Sequence, residues 1–178
     1  MKFLAALCIL KLLIGLTLAQ EEFKLTVEKV EVISFNKEYI ADPYIVVFQY
    51  NETNQGINAS GKLLKDLGMK LRDNIEIYGI EEGEPRLIST ANDVMVCDVL
   101  TSGFPEIEEL FKFGNFTKCP MLKGIYGATN AVVDLTNIPP SIPRGQFLID
   151  IKSYDDDILL IHSKSHVLVE DVPPKKEK

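Results

Sequence analysis

Apolar and polar residues alternate along much of this chain, and the alternation predicts strands. Phe23, Leu25 and Val27 are separated by Lys24, Thr26 and Glu28; the phase then slips so that Val30 and Val32 carry the apolar face, which predicts a bulge near Lys29. Residues 44–50 (Tyr-Ile-Val-Val-Phe-Gln-Tyr) are β-branched or aromatic nearly throughout, the signature of a strand buried on both faces. Leu67, Met69, Leu71, Ile75 and Ile77 share one parity, a period of two, although Leu63, Leu64 and Leu67 would also suit a helical turn. Residues 131–135 are again mostly apolar, and an extended proline-rich stretch, 138–143, follows them. Phe147, Ile149 and Ile151 then alternate, Asp155, Asp156 and Asp157 interrupt the pattern, and it resumes over 158–170, so the last part of the chain reads as an antiparallel hairpin.

One short helix is predicted from Pro105 at its first position. Glu106, Glu108 and Glu109 favour its positive N-terminal dipole, Lys112 its end, and Gly114 stops it. Ile107, Leu110 and Phe111 form its apolar stripe. Short strands separated by turn signals, one small helix and no internal repeat give an all-β fold class, an antiparallel β-sandwich.

Residues 1–19 read as a cleaved secretory signal: a positive start at Lys2, then a nearly continuous apolar run ending in small residues. That run is broken by Lys11 and is shorter than the roughly 20 residues that span a bilayer, so no stable membrane insertion is expected. The mature chain, 20–178, is the size of a single domain, placed at 20–172, and its charged tail 173–178 is expected to be disordered. Removing Lys2 and Lys11 from the 19 basic residues leaves 17 against 26 acidic, a net charge of about −9 that repels nucleic acid and anionic lipid.

Cys97 and Cys119 are the cysteines that remain after the signal, and an even pair in a secreted chain predicts one disulfide. It would close a loop around the predicted helix, contributing about 3 kcal/mol in the chain-entropy model. Asn51, Asn58 and Asn115 each begin a glycosylation sequon, and the first two lie in 51–61, a segment rich in Asn, Gln, Gly and Ser that reads as a surface turn.

His162 and His166 invite a metal-site reading, but four residues along a strand span about 13 Å, too far for one zinc ion, and Lys164 shares their face, so solvent-facing polar positions are expected. Asp155 to Asp157 lack the alternation, central Gly and closing Glu of a calcium loop. Neither a nucleophile turn, a phosphate loop nor a zinc-protease motif occurs, and oxidised cysteines supply no thiolate; catalysis and cofactors are not expected.

The order of short landmarks carries more. Ile57-Asn-Ala-Ser60 precedes a strand; Val96-Cys-Asp98, the helix, Gly114-Asn115 and Cys119-Pro120 follow; then come Gly124-Ile-Tyr126, Asn130 and Ile142-Pro-Arg-Gly145. This order resembles an insect family of secreted proteins related to the CheB chemosensory proteins and, more distantly, to the GM2 ganglioside activator and other MD-2-related lipid-recognition proteins. The resemblance covers most of the mature chain. It implies a β-sandwich or cup with an apolar cavity that holds a lipid or other hydrophobic small molecule without chemistry, and links the chain to chemosensing. The ganglioside activator has several disulfides where this chain has two mature cysteines. Phe48, Tyr50, Phe111, Phe113, Tyr126 and Phe147 are the aromatic candidates for lining such a cavity. The rival expectation is a glycosylated extracellular module with a solid core whose partner is a receptor or another secreted protein.

Overall fold

The computed structural model describes residues 23–52, 54–103, 112–132 and 142–172. Among these residues, eight strands form two antiparallel sheets. β1 (Phe23–Phe35), β8 (Ile158–Asp171), β7 (Gly145–Asp155), β4 (Leu71–Glu81) and β5 (Glu84–Met95) lie in that order in a five-stranded sheet; β2 (Ile40–Gln49), β3 (Gln55–Leu63) and β6 (Gly124–Val132) make a three-stranded one. The all-β sandwich expected from the alternation is the observed architecture. Among the described residues one short helix, α1 (Val96–Leu100), follows β5 directly.

The chain changes sheets between β1 and β2 at Asn36. Its side-chain oxygen accepts the Glu38 N–H at 3.0 Å and its carbonyl accepts from Ile40 at 2.8 Å, an Asx turn that needs only one short polar side chain. The bulge near Lys29 is present, as a register slip between Val27 and Lys29, and a second slip falls between Val32 and Ser34. β7 and β8 pair through the expected hairpin, with Asp156 and Asp157 in its turn.

Three expectations need correction. The 44–50 run is not buried on both faces: Tyr44, Val46 and Tyr50 are exposed, and Ile45, Val47 and Phe48 are only half-buried. Most of the 51–61 segment is not a turn; from Gln55 it is β3, the central strand of the small sheet. The single-parity run does not start at Leu67, since Leu67 and Met69 precede β4 and only Leu71 onward is strand. The described helix lies at Val96–Leu100 and contains Cys97, whereas the one predicted from Pro105, with Phe111 on its stripe, falls on 104–111, outside the described residues, as do the signal segment and the charged tail.

Cys97 and Cys119 are bonded, with their Cα atoms 5.7 Å apart. The bond ties α1 to the segment that leads into β6. That segment is fixed a second time along the free edge of β6: Asn115 donates its backbone N–H to Gly127 at 3.2 Å, and Thr129 donates to the Phe113 carbonyl at 2.8 Å. The Asn115 side chain continues the ladder, its Nδ2 donating to Ile125 at 2.8 Å and its Oδ1 accepting from Gly127 at 2.9 Å. Gly114 is required there, because a Cβ would stand 2.5 Å from the Gly127 carbonyl oxygen.

The main buried cluster sits at one end of the sandwich. Leu63 at the end of β3, Leu67 in the crossing to the other sheet, Leu71 at the start of β4 and Leu160 near the start of β8 pack together, with Tyr39, Ile40, Val96, Met121 and Tyr126 around them. Far along β3 from that cluster, Gln55 fastens the sheets by hydrogen bonds instead. Its Oε1 accepts the Val27 N–H at 2.7 Å and its Nε2 donates to the Val27 carbonyl at 3.1 Å, so one amide satisfies both backbone groups that edge strand β1 presents at its bulge.

Two stability outcomes follow. Replacing both Cys97 and Cys119 by Ser is expected to lower unfolding free energy by about 3 kcal/mol, the loop-closure contribution, and reduction of the unmodified protein should reproduce the loss in urea titrations. Gln55→Leu keeps bulk but leaves the Val27 N–H and C=O without their partner, and is expected to cost about 1–3 kcal/mol; an unchanged urea midpoint would show that the clasp contributes nothing.

Candidate functional site

The middle of the sandwich is not filled. Val30 and Val32 of β1, Phe147, Ile149 and Ile151 of β7, and Ile161 of β8 are only partly buried, and the fully buried apolar side chains among the described residues lie mainly at the leucine end and on Val167 and Val169. Between the sheets lie two adjoining cavities of about 290 and 240 Å³. They share Pro43, Ser60, Gly61, Tyr126 and Ile161, so they form one elongated space.

Small residues on the three-stranded sheet make that space. Ala59, Ser60 and Gly61 of β3 and Gly127 and Ala128 of β6 line its floor, with Ala59 and Ala128 opposite each other in the register. Leucine or isoleucine at those positions would reach across to β8 and close the gap, as facing side chains do in a solid sandwich. Gly127 cannot be enlarged in place, because a Cβ would lie 2.7 Å from the Ala59 carbonyl oxygen. Pro43 reaches the space through a bulge in β2, where Asp42 takes φ 50° and the pairing slips between Ala41 and Tyr44. Opposite stand Val32, Ile161 and Ser163 of the large sheet, and Phe116 covers one side.

Tyr126 is the one side chain of the six aromatic candidates that lines this space. Its hydroxyl donates to the Leu122 carbonyl at 2.7 Å, which holds the ring between the two cavities and a third, of about 470 Å³, beside Cys119 and Pro120. Phe48 packs its ring over Gly56, where a Cβ would come within 2.7 Å, and meets Tyr50 edge to face at 6.4 Å. Phe48, Tyr50, Phe113 and Phe147 are absent from the walls of the two cavities, and Phe111 lies outside the described residues. The alternation and aromatic content of the sequence point to large residues, whereas the decisive positions are small. The signal that could have found them is the cluster of Ala, Ser and Gly over 59–61 and 127–128, flanked on both sides by strand-forming residues.

The sequon asparagines all serve the backbone. Asn51 Oδ1 accepts from Asn54 at 2.8 Å, closing the β2–β3 turn. Asn58 Oδ1 accepts at 2.7 Å from Asn130, whose φ of 54° marks the bulge in β6. Asn115 is held on β6 as described above.

Two carboxylates on neighbouring strands have opposite circumstances. Asp150 of β7 faces outward and is buried; His162 Nε2 lies 2.8 Å from its Oδ1 and Lys164 Nζ 3.2 Å from its Oδ2. His162 is therefore not a solvent-facing position: its side chain is 16% exposed, covered because cross-strand neighbours converge on Asp150. His166 pairs separately with Glu31 at 3.5 Å. Asp73 of β4 faces inward, on the same side as Leu71, which lines the cavity, and directly opposite Ser153, which also lines it. Burial pushes the Asp73 carboxyl above its ordinary range, and a hydrogen bond from Ser153 offsets part of that. Its Oδ1 is buried without a hydrogen-bond partner among the described residues.

No family model matches the chain, and no curated protein matches it. Among solved structures it is similar to a Niemann-Pick type C2 protein from Japanese carpenter ant, at 14% identity over 78% of this chain and 96% of that one, with a TM-score of 0.37. A similarity of that size leaves the fold resting on the chain's own two sheets and the site on its own side chains.

Because folding raises the Asp73 pKa, the group favours the native state while protonated, and that contribution is lost as pH rises through its folded value. At neutral pH the ionised, buried group is a cost. Asp73→Asn is expected to raise unfolding free energy at neutral pH by about 1–3 kcal/mol, the scale of an uncompensated buried polar group. The advantage should fade as pH falls toward 3.8, the unperturbed value; urea titrations across that range measure it.

Proposed function

We propose that this protein is a secreted, non-catalytic carrier of a hydrophobic small molecule or lipid, held between its two sheets. The observation that carries the proposal is the space itself: an elongated, mainly apolar gap floored by Ala59, Gly61, Gly127 and Ala128 and walled by Val32, Ile161 and Tyr126. A gap of this kind leaves apolar side chains half-covered, and a ligand that fills it removes their surface from water at about 25 cal/mol per Å². Its two joined parts, about 290 and 240 Å³, together fall in the lower half of the roughly 300–1,000 Å³ typical of ligand pockets, which favours one alkyl chain or a compact ring system over a two-chain lipid. The landmark order shared with the CheB-related and MD-2-related lipid-recognition proteins agrees with this role, and a chemosensory setting is the narrower form of the same proposal. The leader-like segment 1–19 and the disulfide fit an oxidising, extracellular compartment.

Native mass spectrometry and organic extraction of protein purified from secreting cells should recover a bound hydrophobic molecule. Ala128→Phe places a ring where the floor is now flat, and is expected to weaken uptake of an environment-sensitive hydrophobic dye at least tenfold while leaving the melting temperature the same or higher. Protein that repeatedly arrives empty and takes up nothing from a lipid panel would sink the proposal.

A further inference from the structure

The outer face of the three-stranded sheet carries an apolar row. Tyr44, Val46 and Phe48 of β2, and Tyr50 just past its end, follow at every second position. Tyr44, Val46 and Tyr50 are exposed, and the Phe48 ring lies over Gly56 with Tyr50 edge to face against it. β2 is also an edge strand, and a hydrophobic row on a free edge invites pairing with other chains unless something covers it. Asn58 stands in the middle of this row. It is opposite Val46 in the register, with Tyr44 and Phe48 diagonal to it, and it alternates with Ala59, which faces the gap, so it lies on the outer face. Its Oδ1 is held at 2.7 Å by the Asn130 N–H, and its Nδ2 makes no hydrogen bond among the described residues. Asn115, which also begins a sequon, is committed at both ends: its Oδ1 and Nδ2 bond to Gly127 and Ile125 of the same strand, β6. Reaching one strand with both atoms uses the N–H on the oxygen's side of the amide, and in a trans amide a carbon attached to nitrogen takes that same position. A sugar on Asn115 therefore removes the Ile125 bond and lifts the segment off the edge of β6.

We propose that Asn58 carries an N-linked glycan that covers the apolar row of β2, and that the folded protein leaves Asn115 unmodified. This rests on the secreted character proposed above, because the donor is an oligosaccharide on a lipid diphosphate that a chain meets only in the secretory pathway. The bond from Asn58 Nδ2 to the sugar C1 forms as the bond from C1 to the diphosphate oxygen breaks; Nδ2 loses one proton, and the lipid diphosphate leaves with the electron pair. Ser60 completes the Asn-Ala-Ser acceptor. Transfer precedes folding, so the fold decides which product it tolerates. At Asn58 the oxygen keeps its bond to Asn130, and the sugar joins a nitrogen that gives up no partner. Sugar rings present apolar C–H faces rimmed by hydroxyls, which match the apolar body and polar tip of Tyr44 and Tyr50. At Asn115 the same addition costs a bond on the free edge of β6, so chains modified there fold less well and are held back from secretion.

The test is peptide mapping of the full chain expressed in secreting eukaryotic cells, after enzymatic removal of N-glycans in heavy-oxygen water, which converts each glycosylated Asn to a labelled Asp. Asn58 is expected to be labelled and Asn115 not. Ser60→Ala removes the acceptor while keeping Asn58 and its bond to Asn130; it should lose that glycan and place a several-fold larger share of the secreted protein in aggregates. Ser60→Thr should keep both the glycan and the monomer. Adding Val46→Lys to Ser60→Ala charges the exposed row and should restore the monomer. Should circular dichroism show that Ser60→Ala does not fold, enzymatic removal of glycans from the native protein, with and without Val46→Lys, makes the same comparison. Secreted protein with Asn58 unlabelled or Asn115 labelled overturns the assignment of the site. Aggregation that does not rise on loss of the glycan, or is not reversed by Val46→Lys, overturns the covering role. A chain that stays inside the cell with residues 1–19 attached overturns the secreted character, and this inference with it.

Discussion

The structure depends on β3 being fastened at both ends and bare in the middle. Nine residues from Gln55 to Leu63 span roughly 27–30 Å, close to the length of the sandwich. At the first, an amide clasps the backbone of Val27 in the other sheet; at the last, a side chain enters the leucine cluster through which the chain crosses between sheets. Between those points lie Ala59, Ser60 and Gly61, which reach across to nothing. A sandwich normally coheres through the middle of its facing surfaces. Here cohesion is moved to the ends, and the disulfide adds a third fastening near the leucine end, so the centre can stay open.

The same displacement explains what could be read from the sequence. Elements whose inner face meets a packed neighbour announce themselves: the β1 phase slip at Lys29 and the final hairpin around Asp156 both follow from apolar alternation and turn residues. β3 does not, since a strand that faces a cavity has no reason to carry large apolar residues, and its Asn, Ser and Gly content imitates a loop. β5 escaped for a different reason. It is an exposed edge strand with a slip near Asp93, and Leu87 and Ile88 lie open to solvent, so burial imposes no alternation on it. For the site, aromatic residues are legible but ambiguous: Tyr126 lines the gap, whereas Phe48 instead stabilises the small sheet by covering Gly56. A cavity is written in what is missing, and single residues do not display an absence until the register sets Ala59 against Ala128.

Charge placement differs between the two faces of the large sheet. Asp150 and Asp73 lie on adjacent strands, three residue pairs from each other's level along the β4–β7 ladder, and therefore face opposite sides. The outward one meets Lys164 directly opposite and His162 diagonally across, and His162 is drawn out of solvent as a result. The inward one receives a single hydroxyl. Both are set by the same period-two geometry, so the difference lies in which face the sequence equips with cations: β8 supplies His162 and Lys164 outward but Ile161, Ser163 and Ser165 inward.

A protein with an open middle forgoes part of the burial that stabilises a domain of its size, and the structure offsets the loss with specific contacts in place of bulk packing. Asparagine and glutamine amides replace missing ladder partners at Gln55, Asn58 and Asn115, each satisfying backbone groups that bulges or edges would leave bare. Such contacts contribute about 1 kcal/mol apiece at most when net, less than a filled core would, but they hold strands at fixed separation without occupying the space between them. A ligand held in that gap, as proposed above, would add stability where the fold alone provides least, since anything that binds only the native state stabilises it.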